Sequence, residues 1–425
     1  MSAATSANES PPGSPPPSLG TPPSLGTPTS LGTPWGLVIL LGSLTAMGPL
    51  AIDMYLASLP AIGRSLHASP AQTQGTVAAF LAGMAIGQVF YGPASDRLGR
   101  RAPILLGAAI FTLASAGCAL ATTPEWLLVG RFVQALGACA GGVVSRAVIR
   151  DRFGHTETAR MLSLMMLIMG LAPILAPLLG SALLNFGGWR LNFWFMTAFG
   201  VVVGLIALLR MTESRSEATS LQASQENPFQ SYLAILRERR LIGYALSGAL
   251  NGATIFTYLS SSPGLLMGTY GVSVNLFPWL FGLNAVGIIG GNQVNRFVLR
   301  WFTPDQVLAR SSLVALGVGV LLALAAYSGL DGPWTILPLL FLLLSSYGFV
   351  QGNTMAGALN IDPLRAGAIS ALMGSVSFGA GALASLLAGV LHDGTAKPMA
   401  AVMFIALIGS AACLHGLALP RPARA

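Results

Sequence analysis

Asp53 lies in the stretch Gly48-Pro49-Leu50-Ala51-Ile52-Asp53-Met54-Tyr55-Leu56, which closes an apolar run that begins at Trp35. An ionised carboxylate inside a hydrocarbon-spanning helix costs about 2.5–3.5 kcal/mol on insertion scales. Chains keep such a group where it faces a water-filled path or a partner, and the chemistry open to it there is the uptake and release of a proton. Arg131 is the one basic residue inside an apolar run. Counted from the run ends, Asp53 stands six residues before Leu59 and Arg131 six after Glu125. At ~1.5 Å per residue, both lie roughly 9 Å from the same boundary. The two charges are therefore expected at one level, as a pair that forms when Asp53 is ionised and parts when it is protonated or a ligand binds. A permanent structural ion pair is the alternative.

A second cluster reads Gly92-Pro-Ala-Ser-Asp96-Arg97-Leu-Gly99-Arg100-Arg101. Its glycines allow a tight reversal between helices. Asp96 can accept hydrogen bonds from a neighbouring helix start or an arginine, so the cluster is expected to act as a latch. Enzyme chemistry finds no footing. There is no H-E-x-x-H, no G-x-S-x-G, no second intramembrane carboxylate and no G-x-x-x-x-G-K-[ST]. Cys118, Cys139 and Cys413 lack metal or disulfide spacing, and His67, His155, His392 and His415 stand singly. No metal and no cofactor are called for.

The elements that must hold these residues are apolar. The chain is 53% hydrophobic and 8% charged, with a mean hydropathy of +0.70; soluble domains carry about a quarter charged residues. The net charge of +8 does not indicate nucleic-acid binding, because the charges sit in short breaks between apolar spans. Twelve spans, each able to cross a ~30 Å hydrocarbon core as a helix, read 35–59, 72–93, 103–122, 125–147, 160–184, 189–210, 241–262, 275–298, 306–328, 332–356, 366–391 and 397–418. Arginines collect after the even spans, as at Arg97–Arg101, Arg146–Arg160 and Arg210–Arg240, whereas the breaks after odd spans hold only Arg64, Arg190 and Lys397. The positive-inside rule then places both termini in the cytosol. An eleven- or thirteen-span count would scramble the alternation.

The organisation predicted is a tail over 1–34, a six-helix bundle over 35–210, a cytosolic loop over 211–240 with a short surface helix at Leu233–Arg240, a second bundle over 241–418 and a tail over 419–425. The first tail repeats Ser-Leu-Gly-Thr-Pro at Ser18, Ser24 and Ser30, a composition expected to be disordered, and it lacks the basic start of a secretory signal. Pairs such as Gly83/Gly87, Gly137/Gly141 and Gly287/Gly291 have the spacing that lets helices approach closely. Two such halves around a long loop are the layout of a transporter with its site between them.

The G-x-x-x-D-R-x-G-R-R spacing at Gly92–Arg101 resembles the signature of the major facilitator superfamily between its second and third helices. Three further elements match in register. Arg131, Gln134 and Gly137 are similar to the family's R-x-x-Q-x-x-G pattern. Gly170, Pro173, Pro177 and Gly180 resemble its antiporter helix, with Ala176 where glycine is usual. Asp53 followed by Ala57-Ser58-Leu59-Pro60 is similar to an element of drug–proton antiporters. The strings Gly48–Leu56, Tyr91–Arg101, Arg146–Asp151 and Gly188–Arg190 together resemble the Bcr/CflA drug-resistance group. The likeness is densest over 40–195, and the second-half counterpart of the latch, Gly291–Arg296, has lost its Asp.

That resemblance implies a twelve-helix, all-α membrane protein in the bacterial inner membrane. It implies export of small, mostly apolar drugs such as chloramphenicol- or bicyclomycin-like antibiotics in exchange for protons. An exporter or importer of an endogenous metabolite is the alternative. The partners implied are the substrate, protons and the lipid bilayer, with no nucleic acid and a monomeric state. Asp53 and Arg131 are the proton-coupling residues, and Gly92, Asp96, Arg97, Gly99, Arg100 and Arg101 the cytosolic latch. Polar or aromatic candidates for the substrate cavity are Tyr55, Gln134, Asn251, Tyr258, Tyr347, Gln351 and Asn353.

Overall fold

The computed structural model describes residues 35–216, 221 and 228–419. The tail over 1–34, part of the central loop, and Arg421 and Arg424 lie outside them. Among the described residues there is no strand, and twelve helices of 17 to 33 residues account for most of the chain. In order, α1 is Trp35–Leu56, α2 the short Leu59–Ser65, α3 Pro70–Leu98, α4 Arg101–Ala119, α5 Pro124–Arg152, α6 His155–Gly187 and α7 Trp189–Arg210. After the loop come α8 Pro228–Ile235, α9 Arg239–Pro263, α10 Phe277–Val298, α11 Pro304–Tyr327, α12 Pro333–Ile361, α13 Ala366–Val390 and α14 Lys397–Cys413.

Helix starts carry the expected signals. Ser69 and Thr303 accept from Gln72 and Gln306 backbone amides, and those glutamines reach back to the cap amides, as capping boxes. Proline occupies the first helical position in α3, α5, α11 and α12, where its missing N–H has no partner to lose. Several helices outrun their apolar spans. α3 continues to Leu98, α5 to Arg152, and α6 begins at His155, because polar turns beyond the hydrocarbon still satisfy their own backbone. Span 1 is the opposite case: α1 stops at Leu56, and Pro60 opens the separate α2. The surface helix expected at Leu233–Arg240 is found at Pro228–Ile235 instead. Pro228 favours a helix start, and Arg239 already belongs to α9.

Ten of the twelve long helices are apolar enough over their length to cross a membrane. The other two are α9 and α10. α9 buries Ser247, Asn251, Thr254, Thr257, Tyr258 and Ser260, and α10 buries Asn284 and Asn295. Their polar residues are turned inward, where neighbouring helices satisfy them. α1 and α3–α7 pack among themselves, as do α9–α14. The two sets meet chiefly along α3 against α13 and α6 against α10, with a smaller contact of α1 on α9.

Close backbone approach fixes these crossings. A Cβ at Gly141 would stand 2.2 Å from the Leu44 carbonyl oxygen, and one at Gly180 only 1.9 Å from that of Met54. α6 therefore rides directly on α1 beside Asp53, and only glycine fits at that crossing. Lipid-facing α6 exposes Leu167, Met169, Leu171 and Leu175, while Met161 and Met165 are buried.

Gly180→Val should force α1 and α6 apart and lower the melting temperature of the detergent-purified protein by several degrees. Gly170→Ala, where a Cβ meets nothing within 4 Å, should leave it unchanged. Equal melting of both variants would contradict the crossing geometry.

Candidate functional site

α1 presents two different faces. Residues two apart on a helix point roughly 200° from one another, so Asp53 and Tyr55 look in nearly opposite directions. Tyr55 faces into the α3–α5–α7 side. Its hydroxyl shares a hydrogen bond with Thr76, and its ring lies 5.6 Å from that of Phe193. Arg131 of α5 packs against this face. The guanidinium carbon is 4.4 Å from the Tyr55 ring centroid, 4.2 Å from Phe80 and 5.9 Å from Phe193.

Arg131 is 0% exposed. Its Nη1 donates to Gln134 Oε1 at 2.6 Å, and Gln134 Nε2 donates to Ser115 Oγ at 2.7 Å. Nε and Nη2 have no protein partner. Taking a guanidinium out of water costs several kcal/mol. Desolvated cation–π contacts return about 2 kcal/mol or more, so the aromatic cage and Gln134 hold the charge without a carboxylate.

Asp53 faces the other way, towards α9. It is 5% exposed, and among the described residues it makes no hydrogen bond and no ion pair within 4.0 Å. Its charge reaches the Tyr258 phenol across the contact between the two helix sets. Tyr258 in turn accepts from Asn284 Nδ2 at 2.8 Å and stacks on Phe281 with ring centroids 5.5 Å apart. Asp53 and Arg131 are thus held on opposite faces of α1 in this conformation. Counting along helices predicted their level but carried no information on their direction around the axis.

The remaining candidates separate. Tyr55 and Gln134 belong to the arginine cage and are not cavity walls, since both are fully buried inside one helix set. Asn353 donates to Asn295 Oδ1 at 2.9 Å and to its own helix, bracing α12 against α10. Asn251 and Gln351 each keep a buried carbonyl oxygen without a donor. Tyr347 is half-buried beside Gly252. Tyr258 is buried on α9 and held by Asn284. Phe80, Phe193, Thr76 and Asn284 have functional positions that no motif marked.

Arg100 gathers most of the Gly92–Arg101 cluster within its own helix set. Arg100 is the hub: it reaches Asp96 at 2.5 Å, Asp151 at 2.7 Å and Ser95 Oγ at 2.9 Å. Gly99, at φ +91°, lets the chain turn so that the Arg100 and Arg101 amides donate to Glu213. A side chain at 99 would collide with that carboxylate. Arg215 returns from the loop to the carbonyl oxygens of Asp96 and Arg97. Across the gap, Asp362 pairs with Arg365 at 2.6 Å. In the second set the lost Asp of Gly291–Arg296 is not replaced in kind. Asp305, approached by Arg240 at 3.9 Å, accepts from Tyr244 at 2.6 Å.

Between these two local networks lies a cavity of about 720 Å³, walled by α3, α5, α8 and α13. At the opposite end of the molecule the sets are joined. Asn185 Nδ2 donates to Asn275 Oδ1 at 2.7 Å, and Ser181 Oγ donates to the Val274 carbonyl at 3.0 Å. The structure is therefore open at its arginine-rich end and closed at the other. Tyr232 of α8 bridges the open end. Its hydroxyl donates at 3.1 Å to the Val89 carbonyl, which Pro93, four residues on, cannot serve.

Comparison with known proteins is consistent over nearly the whole chain. The sequence profile described as Major Facilitator Superfamily matches residues 41–385. The chain is 36% identical to "Uncharacterized MFS-type transporter YdgK" of Bacillus subtilis, covering 88% of this chain and 93% of that protein. It is 31% identical to "Multidrug resistance protein MdtL" of Escherichia coli over 90% and 96% of the two chains. With "Bicyclomycin resistance protein homolog" of Haemophilus influenzae it shares 28% identity over 85% and 91%. Among solved structures, a D-xylose-proton symporter superposes with a TM-score of 0.70 at 13% identity, covering 88% of this chain and 97% of that one. A bacterial homologue of the lysosomal transporter Spinster, inward-facing and occupied, gives 0.66 at 18% identity, covering 89% and 95%. At those identities the structures speak for the fold.

Glu213 is partly buried, which works against its charge. The backbone amides of Arg100, Arg215, Arg101 and Ser214 outweigh that, and its carboxyl is held below the ordinary glutamate value. A depressed folded-state value stabilises above the unfolded value of about 4.3 and is lost as pH falls through the folded one. Glu213→Gln should therefore melt below wild type at pH 7, with the gap closing below about pH 4. A gap independent of pH would show that the carboxylate charge is not what ties the loop down.

Proposed function

The chain belongs to the Major Facilitator Superfamily, a family of multi-pass membrane transporters, and from that membership we propose that it exports small, mostly apolar drugs from the bacterial cytosol in exchange for protons. Its relatives named for multidrug and bicyclomycin resistance support this substrate class. In this reading, residues 35–210 and 241–418 are two six-helix bundles, both termini face the cytosol, and the membrane is the bacterial inner membrane. The conformation described is the one open to the cytosol.

The observation that carries the coupling is the position of Asp53. It is buried on the face of α1 turned away from Arg131, and among the described residues it has no ion pair. A neutral carboxyl needs no counter-charge in such a place, whereas an ionised one does. Proton loss therefore creates a demand for a partner that this conformation does not meet. Arg131 is the guanidinium at the same level, already desolvated and with two unfilled N–H positions. Pairing in the ionised state and separation in the protonated state would make proton movement and rearrangement of α1 one event. Gly180, which lets α6 ride on α1 at this level, fits a crossing that must permit such movement.

Export of an endogenous metabolite by the same mechanism is the second reading. A susceptibility panel in an efflux-deficient host separates the two, since a metabolite exporter protects against none of the drugs.

Asp53→Asn should abolish drug protection in that host while the amount of folded protein in the membrane stays at the wild-type level. In inverted vesicles the same variant should lose drug accumulation driven by a proton gradient, and an uncoupler should do likewise to wild type. An Asn variant that still moves a neutral drug against its gradient would end the proposal.

A further inference from the structure

The cavity between the two helix sets is not electrically neutral. Four arginines line it, Arg97, Arg146, Arg150 and Arg365, against two aspartates, Asp96 and Asp362. Both carboxylates are already engaged, Asp96 by Arg100 and Asp362 by Arg365. Arg146 and Arg150 stand one turn apart on α5, near enough for Arg150 to act on the Arg146 charge. Like charges at that spacing destabilise a helix. Among the described residues no carboxylate is paired with either. Arg146 Nε donates to the Gly142 carbonyl of its own helix at 3.0 Å, which leaves its outer nitrogens open, and among the described residues the Arg150 side chain makes no hydrogen bond or ion pair.

We propose that Arg146 and Arg150 form a binding subsite for an oxyanion, a carboxylate, sulfonate or phosphate, at the mouth of this cavity. The positive-inside rule accounts for arginines at this end of the molecule, but lipid-facing positions would satisfy that rule equally well. These two face a space walled by both helix sets. Its volume of about 720 Å³ falls within the range of small-molecule sites, roughly 300–1,000 Å³. Guanidinium groups suit the task, because their planar fork binds the two oxygens of an oxyanion together. Resting on the export reading, the subsite assigns a substrate class: compounds with an anionic group beside an apolar body enter from the cytosol, and cations are disfavoured at the mouth. An oxyanion could also arrive as the phosphate of an inner-leaflet lipid.

The test is equilibrium binding to purified full-length protein in phosphatidylcholine nanodiscs, read by fluorescence polarisation with no gradient present. 6-Carboxyfluorescein is the anionic probe and rhodamine 6G the cationic one. Wild type should bind the anion, the double variant Arg146→Gln/Arg150→Gln about tenfold more weakly, and the Arg146→Lys/Arg150→Lys pair close to wild type. Raising salt from about 0.05 to 0.5 M should weaken wild-type binding. Thermal melting of each variant separates lost binding from lost folding; if the Gln pair melts early, Arg150→Gln alone carries the comparison. Anion binding that is indifferent to the Gln substitution, or rhodamine bound as tightly as carboxyfluorescein, overturns the subsite. Repeating the titration with phosphatidylglycerol in the nanodisc identifies the source: loss of dye binding assigns the oxyanion to a lipid headgroup, and no change assigns it to a free solute. If the probe binds through these arginines while Asp53→Asn still exports drug, the subsite stands and the coupling reading falls.

Discussion

A carboxyl, Asp53, and a guanidinium, Arg131, are both buried beside one helix, which keeps them apart. α1 offers Tyr55 to the Arg131 cage on one face and Asp53 to Tyr258 on the other. The cage is what makes the separation stable. Without the rings of Tyr55, Phe80 and Phe193, a desolvated guanidinium with two unfilled donors would draw in the nearest carboxylate or water. With them, Arg131 can remain charged in the interior while Asp53 stays unpaired. The surrounding fold follows from holding α1 in that orientation: α6 is seated on it through Gly180, and α5 through Gly141 against Leu44.

The arginine-rich end obeys a different constraint. Asp96, Asp151 and Asp362 are each taken by an arginine of their own helix set. Arg100 takes Asp96 and Asp151, and Arg365 takes Asp362. Each of these pairs lies within one helix set, so separating the sets leaves them intact and the cavity can stand open. Glu213 and Arg215 tie the loop after α7 onto the same reversal. The cluster reinforces one bundle and leaves the gap free to change width.

Much of this was legible in the sequence, and the parts that were not share a cause. Apolar length and arginine placement are properties of the chain in one dimension; among the described residues the long helices follow the expected order, ten of them apolar enough to cross a membrane. The family followed from Gly92–Arg101 and Arg131–Gly137, where spacing along the chain is itself the signal. Direction around a helix axis is not legible in a sequence: Asp53 and Arg131 are expected as a pair that forms on ionisation, and in this conformation they lie on different faces of α1. Tyr55 and Gln134 look like cavity residues by type, yet they face Arg131, which only three-dimensional packing decides. Glu213 carries no spacing signature, because it works through backbone amides and not through a side-chain motif. α8 was displaced by about a turn, since its start is set by Pro228 and its register by burial of Tyr232 and Ile235.

The two ends of the contact between the sets differ in the kind of bond that joins them, and the difference bears on how the molecule can move. At the closed end the links are neutral: Asn185 to Asn275, Ser181 to the Val274 carbonyl, and Ser261 to Gln74 at 3.3 Å. Along α3 and α13, Gln74 and Gln88 lie against Gly389 and Gly374, so the surfaces touch through amides and bare backbone. Neutral hydrogen bonds contribute only about 0.5–1.5 kcal/mol net, because water replaces them when they open. A handful of such links can be exchanged for solvent at one end while a comparable set forms at the other. A buried ion pair across the same contact would resist opening by about 3–5 kcal/mol when either partner was stranded. Strong electrostatics inside each helix set, with neutral contacts at the closed end, let the sets part there without stranding a charge.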